Sequence, residues 1–257
     1  MSDHKPYDTN PFYDAVADHY HLFYRNWESA VDREGAMLRR LLTAHHVQTV
    51  LDASCGPGTQ ALPLAKHGFR VTAADLNATM IEKARENAIN YGVADQITFL
   101  HAGFLELTDK LTSGSFDALI TKGNALPHLL TDQDLSAALR NFHRLLKPGG
   151  VLVIGMRNYD LLLEDRPRFI PGQFHDDPYE QHILFDIWDW EDGPPVIITF
   201  NKFRVSGQGE TYQVAKHTVR YRALTRDELE DMLTQAGFDA IKVEQQQWEN
   251  VYTALSR

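Results

Sequence analysis

The feature that most limits what this chain can fold into is the run Asp52-Ala53-Ser54-Cys55-Gly56-Pro57-Gly58-Thr59. A short β-branched segment at 47–52 precedes it and a helical stretch to His67 follows, so it reads as a strand, a tight turn and a helix. Small residues in such a turn let a ligand approach the backbone at the carboxyl end of the strand. The segment 69–74 reads as the next strand and ends in Asp75, where a carboxylate can accept two hydrogen bonds from vicinal hydroxyls. Taken alone, the glycines also suit positive φ, and Asp75 also suits a helix N-terminus beside Asn77.

The rest of the chain repeats the alternation. Met80, Ile81, Ala84, Ala88 and Tyr91 fall on one face of a helix; 97–100 and 116–121 read as strands. Leu135, Leu139, Phe142 and Leu146 trace a helix that stops at Lys147-Pro148-Gly149-Gly150, and 151–156 is the fifth strand. Strands and helices in this order predict a doubly wound α/β parallel sheet with right-handed crossovers. Residues 1–44 read as a helical N-terminal arm and 45–156 as the core. Residues 157–222 form an antiparallel insertion with strands at 183–190, 196–205 and 211–222. Residues 223–257 supply a helix opened by the capping-box spacing Thr225 to Glu228, then strands at 238–247 and 248–255.

Residues 50–59, Asp75 and the run Leu145-Leu146-Lys147-Pro148-Gly149-Gly150-Val151-Leu152 together resemble the class I S-adenosylmethionine-dependent methyltransferases over roughly residues 45–156. The resemblance implies a Rossmann-like sheet in the order 3-2-1-4-5-7-6 with strand 7 antiparallel, and S-adenosyl-L-methionine as cofactor. It places Ala53, Gly56 and Gly58 at the methionyl portion, Asp75 and Leu76 at the adenosine, and Met80, Gly103, Phe104 and Lys122 around them. Where many relatives carry an acid for the adenine amine, this chain has His101-Ala102-Gly103-Phe104, so adenine is expected on backbone groups and against Phe104. A dinucleotide dehydrogenase fits less well, because its third fingerprint glycine falls on Ala61 and Pro57 sits inside the loop.

Lys122-Gly123-Asn124-Ala125-Leu126-Pro127-His128-Leu129 and Met156-Arg157-Asn158-Tyr159-Asp160 resemble segments bordering the amino-acid pocket of glycine and sarcosine N-methyltransferases. Asn124 and Arg157 are therefore the candidate catalytic residues, Asn124 to orient an amine through its carbonyl oxygen and Arg157 to grip a carboxylate with its planar fork. The plain alternative for Arg157 is an ion pair with Asp160. Tyr20 and Tyr24 are expected to close over the cofactor or simply to pack; His128 and His143 read as structural, and Cys55 as a packing residue. The stretch 166–179 is expected to form the outer wall of the pocket. Methyltransferases for an amino sugar or a phenol, and a cofactor-binding regulator without turnover, also satisfy these residues.

With 25 Lys and Arg against 35 Asp and Glu, the net charge of −10 disfavours phosphate backbones and anionic membranes. We expect a small-molecule substrate, no nucleic acid or membrane partner, no metal ligand cluster, and a cytoplasmic enzyme without a secretory leader. Oligomeric state is open.

Overall fold

The computed structural model describes residues 6–245 and 249–257. The N-terminal arm is α1 (Asn10–Val16), a 3-10 turn (Ala17–Phe23) and α2 (Trp27–Ala44). Then come β1 (Thr49–Asp52), α3 (Ala61–Lys66), β2 (Arg70–Asp75), α4 (Ala78–Asn90), β3 (Ile97–His101), α5 (Leu107–Lys110), β4 (Phe116–Thr121), α6 (Asp132–Leu145) and β5 (Leu146–Met156). After α7 (Tyr159–Asp165) lie β6 (Phe169–Asp176), β7 (Gln181–Glu191), β8 (Ile197–Gln208) and β9 (Thr211–Arg222). The chain closes with α8 (Arg226–Gln235), β10 (Phe238–Gln245) and β11 (Asn250–Ser256).

The main sheet runs β3-β2-β1-β4-β5-β11-β10, with β1 to β5 parallel and β11 antiparallel to both neighbours. Parallel strands need helices on both faces, and the apolar runs of β1, β4 and β5 are buried accordingly. Leu38, Leu42, Leu62, Leu64 and Ile81 form the core on one face; Leu135, Leu139, Phe142, Leu229 and Phe238 belong to the core on the other. Local chemistry sets the helix starts. The Asn77 side chain accepts from Met80 N, that of Thr131 from Asp134 N, and Thr225 with Glu228 closes the expected capping box.

Two expectations are corrected. The fifth strand begins at Leu146, not Val151, because Leu146 pairs with Phe116 and a register irregularity between Phe116 and Ala118, with Gly149 at φ 74°, absorbs the Lys-Pro-Gly-Gly run. The stretch after Arg157 holds a helix, α7, and a fourth antiparallel strand, β6, whose alternation is muted by Pro171 and Gly172. Residues 246–248, where the two last predicted strands were to meet, lie outside the described residues.

Asp117 ties the base of β1 to β5. Its carboxylate accepts from Gln48 N, Thr49 N and Thr49 Oγ1 and pairs with Lys147 at 2.6 Å. Burial opposes its charge, but Lys147 and the donors at Thr49 and Gln48 prevail and hold the carboxyl below its ordinary value. A depressed folded-state pKa contributes stability above about pH 4 that is lost as pH falls through the folded value. Urea midpoints measured from pH 6 down to about 3 should therefore fall less steeply in Asp117→Asn than in the wild type.

Candidate active site

The loop after β1 is held open from behind. Cys55 N donates to Ala74 O and Gly58 N to Cys55 O, while Gly56 N reaches across to Asp75 Oδ2 at 2.8 Å. Asp75 Oδ1 accepts from Asn77 N at 2.9 Å, so one carboxylate joins the glycine loop to the start of α4. Burial pushes its pKa up, and each oxygen keeps a lone pair for a further donor. Gly56 sits at φ 51° with nothing within 4 Å of where a Cβ would stand. That open space leaves the loop backbone accessible to a bound molecule. Beneath it Asp52 is fully buried, its carboxyl raised to about 7 chiefly by desolvation, and its Oδ2 has no partner among the described residues.

A cavity of about 160 Å³ opens on this loop. Of the expected cofactor residues it is lined by Tyr20, Ala53, Gly56, Asp75, Leu76, Met80, Gly103, Phe104 and Lys122. Gly103 is needed for close approach, since a Cβ there would stand 2.8 Å from Leu76 Cδ1. Phe104 is braced edge-on by Phe142. Gly58 and Tyr24 do not line the cavity. Gly58, at φ 100°, lets the turn pass over Leu62, whose Cγ would lie 2.8 Å from an added Cβ; Tyr24 faces a separate polar recess that it shares with Tyr20.

The N-terminal arm is fastened over the cavity. Asn77 Nδ2 donates to Asn10 Oδ1 and Asp14 Oδ1, Thr79 Oγ1 donates to Asp14, and Asp18 pairs with Lys83 at 3.0 Å. This brings Tyr13 to the wall beside His128, 115 residues away in sequence, with Tyr13 Oη 2.7 Å from His128 Nε2. His128 Nδ1 lies 3.1 Å from Arg220 O, and its ring stacks on Tyr221 at 4.2 Å. Burial holds the imidazole down at about 4 and keeps the Tyr13 hydroxyl well above its ordinary pKa. The sequence reading had put His128 among structural residues and had not singled out Tyr13.

Asn124 and Arg157 lie behind this wall. Asn124, at φ 67°, is buried; its Oδ1 accepts from Arg157 N at 3.0 Å, and its amide meets the Tyr159 hydroxyl. The expected amine contact is thereby replaced, because that oxygen already fixes the backbone at Arg157. The Arg157 guanidinium stands 4.9 Å from the Phe200 ring, 5.6 Å from Tyr221 and 5.7 Å from Trp188. Burial opposes its charge, yet Tyr159, Tyr221 and Asp186 around it keep it protonated. Nη1 is shut off from solvent with no partner among the described residues. Asp160 accepts instead from Arg226 N, so the ion pair considered for Arg157 is not formed. The stretch 166–179 does not line the cavity either: the antiparallel sheet supplies Trp188, Phe200 and Tyr221 around Arg157.

Lys122, its side chain 1% exposed, pairs with Glu34 at 3.2 Å and with Glu249. Gly155 allows this, since a Cβ there would lie 2.7 Å from Glu249 Oε2 and 2.9 Å from Lys122 Cγ. Among the described residues no group of three or more His, Cys, Asp or Glu can hold a metal ion, and no helix is long and apolar enough to cross a membrane.

A family model described as a methyltransferase domain matches residues 50–150. The chain is 31% identical to the glycine/sarcosine N-methyltransferase of Parasynechococcus marenigrum over 84% of its own length and 72% of that protein. It is 33% identical to the glycine/sarcosine N-methyltransferase of Aphanothece halophytica over 62% of this chain and 63% of that one. For the glycine N-methyltransferase of Rattus norvegicus the identity is 33% over 56% and 52%, so the match spans less than two thirds of these last two proteins. Among solved structures, the CcbJ methyltransferase of Streptomyces caelestis superposes with a TM-score of 0.78 at 20% identity, covering 97% of this chain and 99% of that one. The SAM-bound amino pentose methyltransferase of Micromonospora echinaspora superposes at 0.71 and 16% identity, covering 99% and 100%. These two likenesses are of fold.

Proposed function

The chain belongs to the S-adenosylmethionine-dependent methyltransferases, and from that premise we propose that it methylates the amine of glycine, sarcosine or a related small amino acid. The observation that carries the substrate class is Arg157, a protonated guanidinium whose Nη1 has no partner among the described residues, inside an aromatic box beside the cofactor cavity. A guanidinium nitrogen closed off from solvent without a hydrogen-bond acceptor is costly, and a substrate carboxylate is the partner its planar fork matches. The 31% identity with a glycine/sarcosine N-methyltransferase supports the same reading.

S-adenosylmethionine supplies a methyl group on a sulfonium, whose leaving group is a neutral thioether. The protein's part is binding and alignment. Asp75 takes the ribose hydroxyls, the backbone at Ala53 and Gly56 takes the methionyl end, and Leu76, Gly103 and Phe104 clasp the adenine. Asn124 acts at one remove, holding the backbone of Arg157 so that the guanidinium meets the carboxylate at a fixed angle. Tyr20 and the arm keep water out, which favours an in-line approach at about 3 to 3.5 Å.

Two experiments address this. S-adenosylmethionine or S-adenosylhomocysteine at a hundredfold excess over its dissociation constant should stabilise the fold by about 2.7 kcal/mol, a rise in melting temperature of about 5 to 10 °C, whereas NAD should give none. A mass-spectrometric screen of glycine, sarcosine, dimethylglycine, other amino acids, amino sugars and phenols tests the substrate. Methylated phenols or amino sugars with no methylated amino acid would overturn the amino-acid assignment and leave the family intact.

A further inference from the structure

We propose that the outer face of the antiparallel sheet is the interface of a two-fold dimer of this chain. Successive side chains of a strand point to opposite faces of a sheet. Trp188, Phe200 and Tyr221 take the inner face and join the core around Arg157. The other face is apolar as well. Phe174, Ile183, Val205 and Val214 form one cross-strand row over β6 to β9, and Phe185 and Phe203 lie opposite one another in the next. Phe185 stacks on Phe203 with centroids 4.9 Å apart, and Phe169 meets Phe185 at 5.6 Å, so the rows join into one surface. It stands open to solvent: Val214 is 65% exposed, Phe169 61% and Phe174 58%. An antiparallel sheet with one solvated face carries polar residues there, and monomers rarely leave a contiguous apolar patch of this kind uncovered.

Size, register and charge select a second copy as the occupant. None of these side chains lines the cofactor cavity or the polar recess, so the face offers a small ligand no cleft. With β7 and β8 11 and 12 residues long, four strands at the usual spacings cover roughly 19 by 36 Å, close to the ~800 Å² that each partner gives to a standard interface. A two-fold axis parallel to the strands lays β6 of one copy over β9 of the other and keeps every cross-strand row in line. Phe174 then faces the partner's Val214, because both belong to the same row. The same axis brings the β9 edge, with the exposed Lys216, over the β6 edge, with the exposed Asp176. An axis across the strands would set one Lys216 edge against the other, which like charges oppose. A lipid surface suits the face less, since Asp176 stands beside the apolar rows and the net charge is −10. The dimer backs the strands that hold Trp188, Phe200 and Tyr221, so the melting temperature should rise with protein concentration.

Sedimentation velocity on the full chain tests this directly: at tens of micromolar the particle should have twice the mass of one chain. Every residue of a two-fold interface acts twice, so Phe169→Asp and Val214→Glu should each raise the dimer dissociation constant by at least about 100-fold. Ile89→Glu, at an equally exposed apolar position on α4, should leave it unchanged. Calorimetry with S-adenosylhomocysteine checks that each variant is folded. The axis has its own readout. A short bismaleimide should join Phe174→Cys chains to Val214→Cys chains when the two are mixed, and should join neither to itself; the native Cys55 is buried and does not compete. A chain that stays monomeric throughout, a dimer indifferent to both substitutions, or Phe174→Cys chains linked to one another overturns the proposal. So does a monomer that floats with phosphatidylcholine vesicles and loses them in Val214→Glu, which would give the face to lipid.

Discussion

Asp75→Ala is expected to weaken S-adenosylmethionine binding by about 2 to 3 kcal/mol, on the order of 30- to 150-fold in dissociation constant, as read by calorimetry. Two effects add. The charged acceptor proposed for the ribose hydroxyls is lost, and the N–H groups of Gly56 and Asn77, now bonded to the two carboxylate oxygens, are freed. The second effect predicts that the variant also melts lower without ligand. Asp75→Asn separates them, since its amide keeps one acceptor but turns an NH2 toward one of those two N–H groups; it should lose affinity by an intermediate amount. An unchanged cofactor affinity in Asp75→Ala would remove this residue from the site.

The legibility of Asp75 in the sequence has a physical cause. Loop, strand end and helix start lie within some two dozen residues, and each carries its own local signature: small residues at the turn, β-branched residues before it, a capping Asn77 after it. The order of the main sheet was available for a different reason, through resemblance to a family whose motif spans 45–156. What stayed hidden depends on residues far apart. Tyr13 meets His128 across 115 positions, and Lys122 meets Glu249 across 127. Neither pair leaves a periodicity or a spacing to read. Asn124 was legible as important but not in its action: its left-handed backbone turns the side chain toward Arg157 N and Tyr159, which a linear motif does not encode. The strand over Lys147-Pro148-Gly149-Gly150 was missed because proline and glycine argue against a strand interior, whereas pairing of Leu146 with Phe116 overrides that propensity.

Arg157 carries the second large effect, and its variants separate binding of a carboxylate from support of the fold. In Arg157→Lys the charge remains but becomes a point on a flexible stem, so the bidentate geometry is lost; in Arg157→Met the charge goes as well. For an amino-acid substrate, the methionine variant should lose about 3 kcal/mol or more in kcat/KM, roughly 150-fold, because the substrate carboxylate would be buried without a partner. Lysine should fall between, and most of its loss should appear in KM. The methyl ester of the same amino acid brings no carboxylate, so both variants should handle it within a fewfold of wild type. Stability should move the other way from a broken ion pair: Nη1 has no partner among the described residues and three aromatic rings surround the guanidinium, so a methionine of similar length relieves a largely enclosed charge and keeps the packing. Its melting temperature should therefore match or exceed that of wild type. Equal losses on acid and ester, together with a lower melting temperature, would make Arg157 a structural residue and take the carboxylate out of the substrate, while cofactor binding at Asp75 would stand unaffected.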